Sequence, residues 1–391
     1  MSPVSHATPA SPDAGTKPRL LHLDWLRVLA MGCIFLFHNQ RPYDFDDWHI
    51  KNAVLSQAST WYVEFFNLWM MPLFFVLSSA AIYYSLQTRT AGQFVRERFL
   101  RIAVPWLGLG MLVFGPVQVY VERLTHGDSA DGFFAFLPRY FEGFYGLGGN
   151  FAWMGLHLWY LMMLFLFIII MLPFLLPFGT ARRSGLSRLS TFCRRAPVLV
   201  LMFVPLAAAA QLTNALGLGI SREFGSWDIF SYLLFFTYGY LLHSDPMVQG
   251  TIDRLRWVTL ALVAVATLLV GAMDPSGSWQ WAAARAACAW SWILAILGWG
   301  HTLLNSSNRF VVHANEAVLP FYILHQPVIV VIAFFVVPTD AGVLAKYLLT
   351  ASSSFVIIVA LYEFVVRPVG MLRFLFGMRP KAAAAAARNG S

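Results

Sequence analysis

The chain has 391 residues, of which 58% are hydrophobic and only 12% charged, with a formal net charge of +8. Soluble domains carry charge on about a quarter of their residues, so a soluble fold is excluded and the chain reads as an all-α, polytopic transmembrane helical bundle. The three cysteines, Cys33, Cys193 and Cys288, are scattered in or beside apolar segments, which suggests neither a disulfide framework nor a zinc site, and no metal is expected.

Residues 1–19 are rich in Ser, Pro, Ala and Thr and lack the apolar core of a signal peptide, so they are expected to form a disordered cytoplasmic tail. The membrane part, residues 20–376, offers apolar runs near the length needed to cross a bilayer. Ten spans are predicted, at about 23–38, 61–86, 102–121, 153–178, 197–217, 227–242, 257–272, 279–303, 316–337 and 343–366, the sixth and seventh short. Residues 377–391, with their alanine run, read as a second disordered tail. With ten spans, 19 of the 27 Lys and Arg residues fall on the side of the N-terminus, 6 on the other, and Arg27 and Arg285 within spans. That bias puts both termini in the cytoplasm and accounts for the net charge without nucleic acid.

The first span, within LDWLRVLAMGCIFLFHNQRPY, carries Asp24 and Arg27 at its start and His38 where the apolar run gives out. Eleven residues separate Arg27 from His38, roughly 16 Å along a helix and nearly on one side of it. An arginine at one depth and a titratable ring deeper in suit an anionic donor held at one side and proton chemistry further across. The same residues also suit a snorkelling topology arginine and an interfacial histidine. Asp24, three residues before Arg27, is placed to orient it or simply to neutralise it.

The loop that follows, NQRPYDFDDWHIKN, contains Asp44, Asp46, Asp47, Trp48 and His49. The loop from Glu122 to Asn150 adds Asp128, Asp131, Tyr140, Glu142, Tyr145 and a GLGGN turn. Aromatic faces beside carboxylates and amides suit a sugar, although Trp and Tyr also mark membrane interfaces. On the other side, QFVRERFLRIAVPW sets Arg98 and Arg101 three apart, two guanidinium forks fit for a phosphate or a topology collar. Within the spans Glu64, His157 in WMGLHLWYL, Arg285 in WAAARAACAW, His325 in PFYILHQP and Glu363 are costly to leave unpaired. Pro327, just after His325, is expected to open backbone carbonyls.

Taken together, Arg27 followed by ten residues and His38, the Arg98-x-x-Arg101 pair before the third span, the opening HLDWLR, the ten-span layout and FYILHQP resemble the integral-membrane acyltransferase-3 family. Within it the chain is most similar to the glucan-biosynthesis branch, over about Leu20 to Phe376. The resemblance implies transfer of an acyl group, succinyl or acetyl, from cytoplasmic acyl-CoA to a hydroxyl of an envelope glycan at a bacterial inner membrane. It makes His38 the catalytic histidine and Arg27, Arg98 and Arg101 the essential arginines, with acyl-CoA (succinyl-CoA or acetyl-CoA) a co-substrate and no cofactor bound permanently. Asp24 joins His38 among the catalytic candidates. Trp48, His157, Arg285 and His325 are candidates for contact with substrate. The expected partners are the lipid bilayer, acyl-CoA, the glycan acceptor and other envelope-glucan biosynthesis proteins, with no nucleic acid. The competing reading is a transporter or flippase, which predicts substrate flux without release of CoA.

Overall fold

The computed structural model describes residues 20–128, 131–176, 189–217, 224–274 and 277–380; the tail expected at 1–19 and residues 381–391 of the other tail lie outside the described residues. Ten long helices account for most of the described chain: α1 Leu21–Gln40, α2 Gln57–Leu86, α3 Ala91–Thr125, α5 Leu156–Leu175, α6 Ala196–Ala215, α7 Ile229–Ser244, α8 Pro246–Ala272, α9 Trp279–Leu303, α10 Arg309–Val336 and α11 Val343–Val366. Two further short helices are α4 Phe133–Tyr140 and α12 Gly370–Leu375. Among the described residues the one departure from helix and turn pairing is an isolated bridge between Phe144 and Phe151. Nine of the ten long helices are long and apolar enough to cross a membrane; α7, the short sixth span, has 16 residues.

Polar side chains set where these helices begin. Ser56 accepts from Ser59 N ahead of α2, Thr90 and Gln93 form a reciprocal capping box on α3, and Asp228, Ser278 and Asn308 cap α7, α9 and α10. Each supplies an acceptor that the first turn of a helix otherwise lacks. The same rule corrects the seventh span. Asp245 accepts from Met247 N, and Pro246 occupies the first helical position, where its missing N–H is harmless. The helix therefore starts eleven residues before the apolar run. Arg254 and Arg256 lie on it rather than in a loop.

The bundle core lies where α1 packs on α2, α9 and α10, and where α2 packs on α7 and α9. Its centre is aromatic, with Phe75 against Phe167, Tyr160 and Tyr232. α8 packs on α9 and leaves Trp257, Val265 and Leu268 exposed, as a helix on the lipid side of a bundle does.

Helix α3 is unusual. It widens into π-type turns over Phe99–Ala103 and Pro105–Phe114, around a proline that has no N–H for the regular ladder. The wider turn rotates Arg101 away from Arg98.

The loop of residues 41–56, joining α1 to α2, is braced by its own ion pairs and by α11. Asp44, 1% exposed, receives Arg41 at 2.5 Å and Lys51 at 2.6 Å, and Lys346 donates to Asn52 Oδ1 at 2.9 Å. Burial pushes the Asp44 carboxyl up from its ordinary range, against the pull of Arg41 and Lys51. This carboxylate is spent on the loop itself and is not a free contact for a sugar.

Candidate active site

His38 occupies the last turn of α1. Its Nδ1 lies 3.1 Å from the Ile34 carbonyl one turn back and 3.1 Å from Nε2 of His325, in the middle of α10. His157, at the start of α5, completes the cluster, its ring centroid 5.2 Å from that of His325. His325 is 0% and His157 5% exposed, whereas His38 is half-buried. Of the three residues, His38 is the least buried.

Local sequence explains how the rings meet. Pro327 has no N–H, so the Ile323 carbonyl four residues earlier lacks its helical donor. His157 Nε2 takes that carbonyl at 3.1 Å. The chain enters α5 through Gly155, φ +77, and Leu156, φ +51. A Cβ at Gly155 would come within 2.9 Å of Trp106, and Leu156 holds a left-handed conformation that a side chain makes unfavourable. The strain lies one residue before His157. Nδ1 of His157 is buried and has no hydrogen-bond partner.

Trp48 leans towards His38 from the 41–56 loop, ring centroids 6.5 Å apart, so it lies beside the cluster. Behind it His49 pairs with Glu122; His49 Nε2 lies 3.1 Å from Gln326 Nε2, Gln326 donates to Gln118 Oε1 at 3.0 Å, and Tyr145 donates to Glu122 at 2.8 Å. This buried polar layer ties the residue after His325 to both loops at the His38 end. Next to it, a basin of about 580 Å³ is lined by Arg123, Arg139, Glu142, Asn150 and the backbone of the GLGGN turn. Gly149 is required there, since a Cβ would fall 2.2 Å from the Gly143 backbone.

Arg27 lies toward the other end of α1. It donates to Asp24 and to the Leu77 carbonyl of α2, both at 3.2 Å, while Asp24 also accepts from Asn315 at 3.0 Å. Asp24 thus orients Arg27. Fourteen residues, roughly 21 Å of helix, separate it from His38, so it does not reach the chemistry at that ring. Between the two ends lie residues that sequence reasoning passed over. The Tyr160 hydroxyl is 2.5 Å from Ser78 Oγ, its ring is 5.9 Å from Tyr322, and the Tyr322 hydroxyl donates to the His157 carbonyl.

Arg98 donates to Ser85 Oγ at 2.9 Å in the last turn of α2 and stands 5.1 Å over Phe94. Its Nε is buried without an acceptor, which is costly for a charged donor. Arg101 turns elsewhere, donating to the Gly377 carbonyl at 3.1 Å and facing Glu97 at 3.6 Å. The two forks lie at one end of the bundle but reach to different neighbours. Arg285 has other partners. Its guanidinium lies 4.1 Å over the Trp227 ring and donates to the Ser226 carbonyl at 2.5 Å, which is structural pairing. Glu363 is held by Arg367 at 2.5 Å and by His313, and Glu64 is exposed. Among the described residues no group of three or more His, Cys, Asp and Glu side chains is arranged to hold a metal ion.

Residues 20–363 match the family model described as an acyltransferase domain. Proteins named glucans biosynthesis protein C, from Salmonella heidelberg (strain SL476), Salmonella agona (strain SL483) and Salmonella paratyphi A (strain ATCC 9150 / SARB42), are each 22% identical over 376 residues, covering 93% of this chain and 96% of theirs. No solved structure matches the chain.

Proposed function

The chain belongs to the acyltransferase-3 family of membrane acyltransferases, and from that premise we propose that it moves an acyl group, succinyl in preference to acetyl, from cytoplasmic acyl-CoA to a hydroxyl of an envelope glucan. The membrane is the bacterial inner membrane, with the Arg98 end cytoplasmic, as the arginine bias supports. The observation that carries the reading is the order of functional groups along the bundle. A cationic fork with an unpaired buried donor, Arg98, comes first; Arg27 follows about 12 Å further in, judged by the eight residues between Ser85 and Leu77 on α2. His38 lies roughly 16 Å beyond Arg27, of the order of the reach of a pantetheine arm.

On this reading Arg98 and Arg101 meet the donor's phosphates at the cytoplasmic end, Arg27 stands further in where the pantetheine arm begins, and the thioester extends from there to His38. A sugar hydroxyl is a poor nucleophile at neutral pH, so His38 takes its proton as general base as the oxygen attacks the thioester carbonyl carbon. The carbon–sulfur bond breaks, and the proton returns to the leaving thiolate. The polar basin beside the His38 end, with two arginines, two carboxylates and an amide, supports a hydroxyl-rich acceptor on that side, and Trp48 supplies an aromatic face next to His38. The names of the relatives support a glucan.

The test is thiol release by protein purified in lipid, offered acetyl-CoA or succinyl-CoA with a mixed glucan acceptor. Release that depends on glucan and is greater with succinyl-CoA is expected. Folded protein that releases no CoA from either donor overturns the proposal and favours transport, to be measured as flux.

A further inference from the structure

The acceptors around His38 and His325 leave a single assignment of their protons. His325 Nδ1 lies 2.5 Å from the Tyr322 carbonyl, and a carbonyl only accepts, so Nδ1 carries the hydrogen. By the same rule His38 Nδ1, 3.1 Å from the Ile34 carbonyl, is also N–H. The rings meet at His325 Nε2 and His38 Nδ1, 3.1 Å apart. Two N–H groups would repel there, so His325 Nε2 is the bare nitrogen and accepts from His38. His38 Nδ1–H is then shared between a carbonyl and a neutral imidazole, and His38 Nε2 is left as the ring's lone pair.

We propose that His325 is a positioning residue for His38 rather than a contact to substrate: it holds the Nδ1–H tautomer and steadies the imidazolium that forms during transfer. The inference rests on the reading of His38 as the general base. The acceptor O–H bond breaks, its proton goes to His38 Nε2, and the oxygen bonds to the thioester carbonyl carbon. The carbon–sulfur bond then breaks and Nε2 returns the proton to sulfur, giving an ester and a thiol with both rings as they began. While Nε2 is protonated, Nδ1–H points at a lone pair. In Ser-His-Asp sites a carboxylate takes this place. Here a neutral ring does so, its own N–H tied to Tyr322, and no anion has to be buried within a span. Total burial of His325 fits a residue that works through its neighbour.

The test compares His325→Leu, which removes the acceptor, with His325→Gln, whose amide oxygen can replace it, in glucan-dependent CoA release. With both substrates saturating, His325→Leu is expected to lower kcat about 100-fold, with KM for acyl-CoA changed less than about threefold. His325→Gln is expected to recover kcat to within about tenfold of wild type. The double variant His38→Ala/His325→Leu should be no slower than His38→Ala alone, because the two rings act as one unit. If His325→Leu does not fold, His325→Met takes its place, a thioether being a weak acceptor. Near wild-type kcat in the Leu variant, equal losses in Leu and Gln, or losses that multiply in the double variant each overturn the proposal. An inactive His38→Ala beside an active His325→Leu defeats this inference alone. An active His38→Ala defeats the reading beneath it as well.

Discussion

Replacing Arg98 with Met separates donor binding from chemistry. The Met side chain keeps apolar contact with Phe94, and Ser85 Oγ keeps Arg89 Nη1 as a donor at 2.9 Å, so the end of α2 is not left unsatisfied. Measured along α2 and α1 the guanidinium is roughly 28 Å from His38. At that distance a unit charge acts on the ring by about 0.6 kcal/mol at an effective dielectric of 20, or about threefold in rate. Its hydrogen bonds to a phosphate are worth about 1.5–3 kcal/mol, or about 10- to 100-fold in affinity. Arg98→Met should therefore raise KM for acyl-CoA about 10- to 100-fold and change kcat by no more than about threefold. Initial rates of CoA release over a range of donor concentrations, with glucan saturating, measure both. A fall in kcat as large as the rise in KM would refute the separation of the two ends.

Three further outcomes follow from the same structure. Pro327→Ala returns an N–H to the Ile323 carbonyl in competition with His157 Nε2, so kcat should fall while the melting temperature changes little, the hydrogen bond lost and the one gained each being worth about 1 kcal/mol; unchanged kcat contradicts a role for the freed carbonyl. Arg285→Met removes a desolvated cation–π contact worth about 2 kcal/mol; it should lower the melting temperature and leave KM for both substrates unchanged, and a raised KM would return Arg285 to the substrate site. Asp44→Ala leaves Arg41 and Lys51 without their shared anion, a loss of about 3 kcal/mol for a buried pair, seen as earlier thermal unfolding; no shift in melting temperature would mean that the 41–56 loop is held by its other contacts.

The helices were legible because lipid-facing segments must be apolar over their whole length, and the ten runs announce themselves. What the apolar runs hid was the polar start of α8, where a cap and a proline, not hydropathy, set the boundary. In the site, each histidine could be named singly from its position within a span. Their union could not, because His38 and His325 are 287 residues apart and neither carries a local signature of the other. Pro327 was the one usable sign, since a proline frees a known carbonyl, and His157 takes it. Arg98 and Arg101 read as a pair only if α3 is a regular helix, and Pro105 was the warning that it is not. Tyr160 and Tyr322 stood within the quoted motifs but look like ordinary interfacial aromatics until the fold sets them between Arg27 and His38.

On the proposed reading, His38 drives transfer of an acyl group onto a glucan. Mass spectrometry of glucan incubated with succinyl-CoA and either wild-type protein or His38→Ala, both in lipid and both shown to be folded, tests it most directly. A succinylated product is expected from wild type and none from the variant. Equal modification by the two proteins would contradict it.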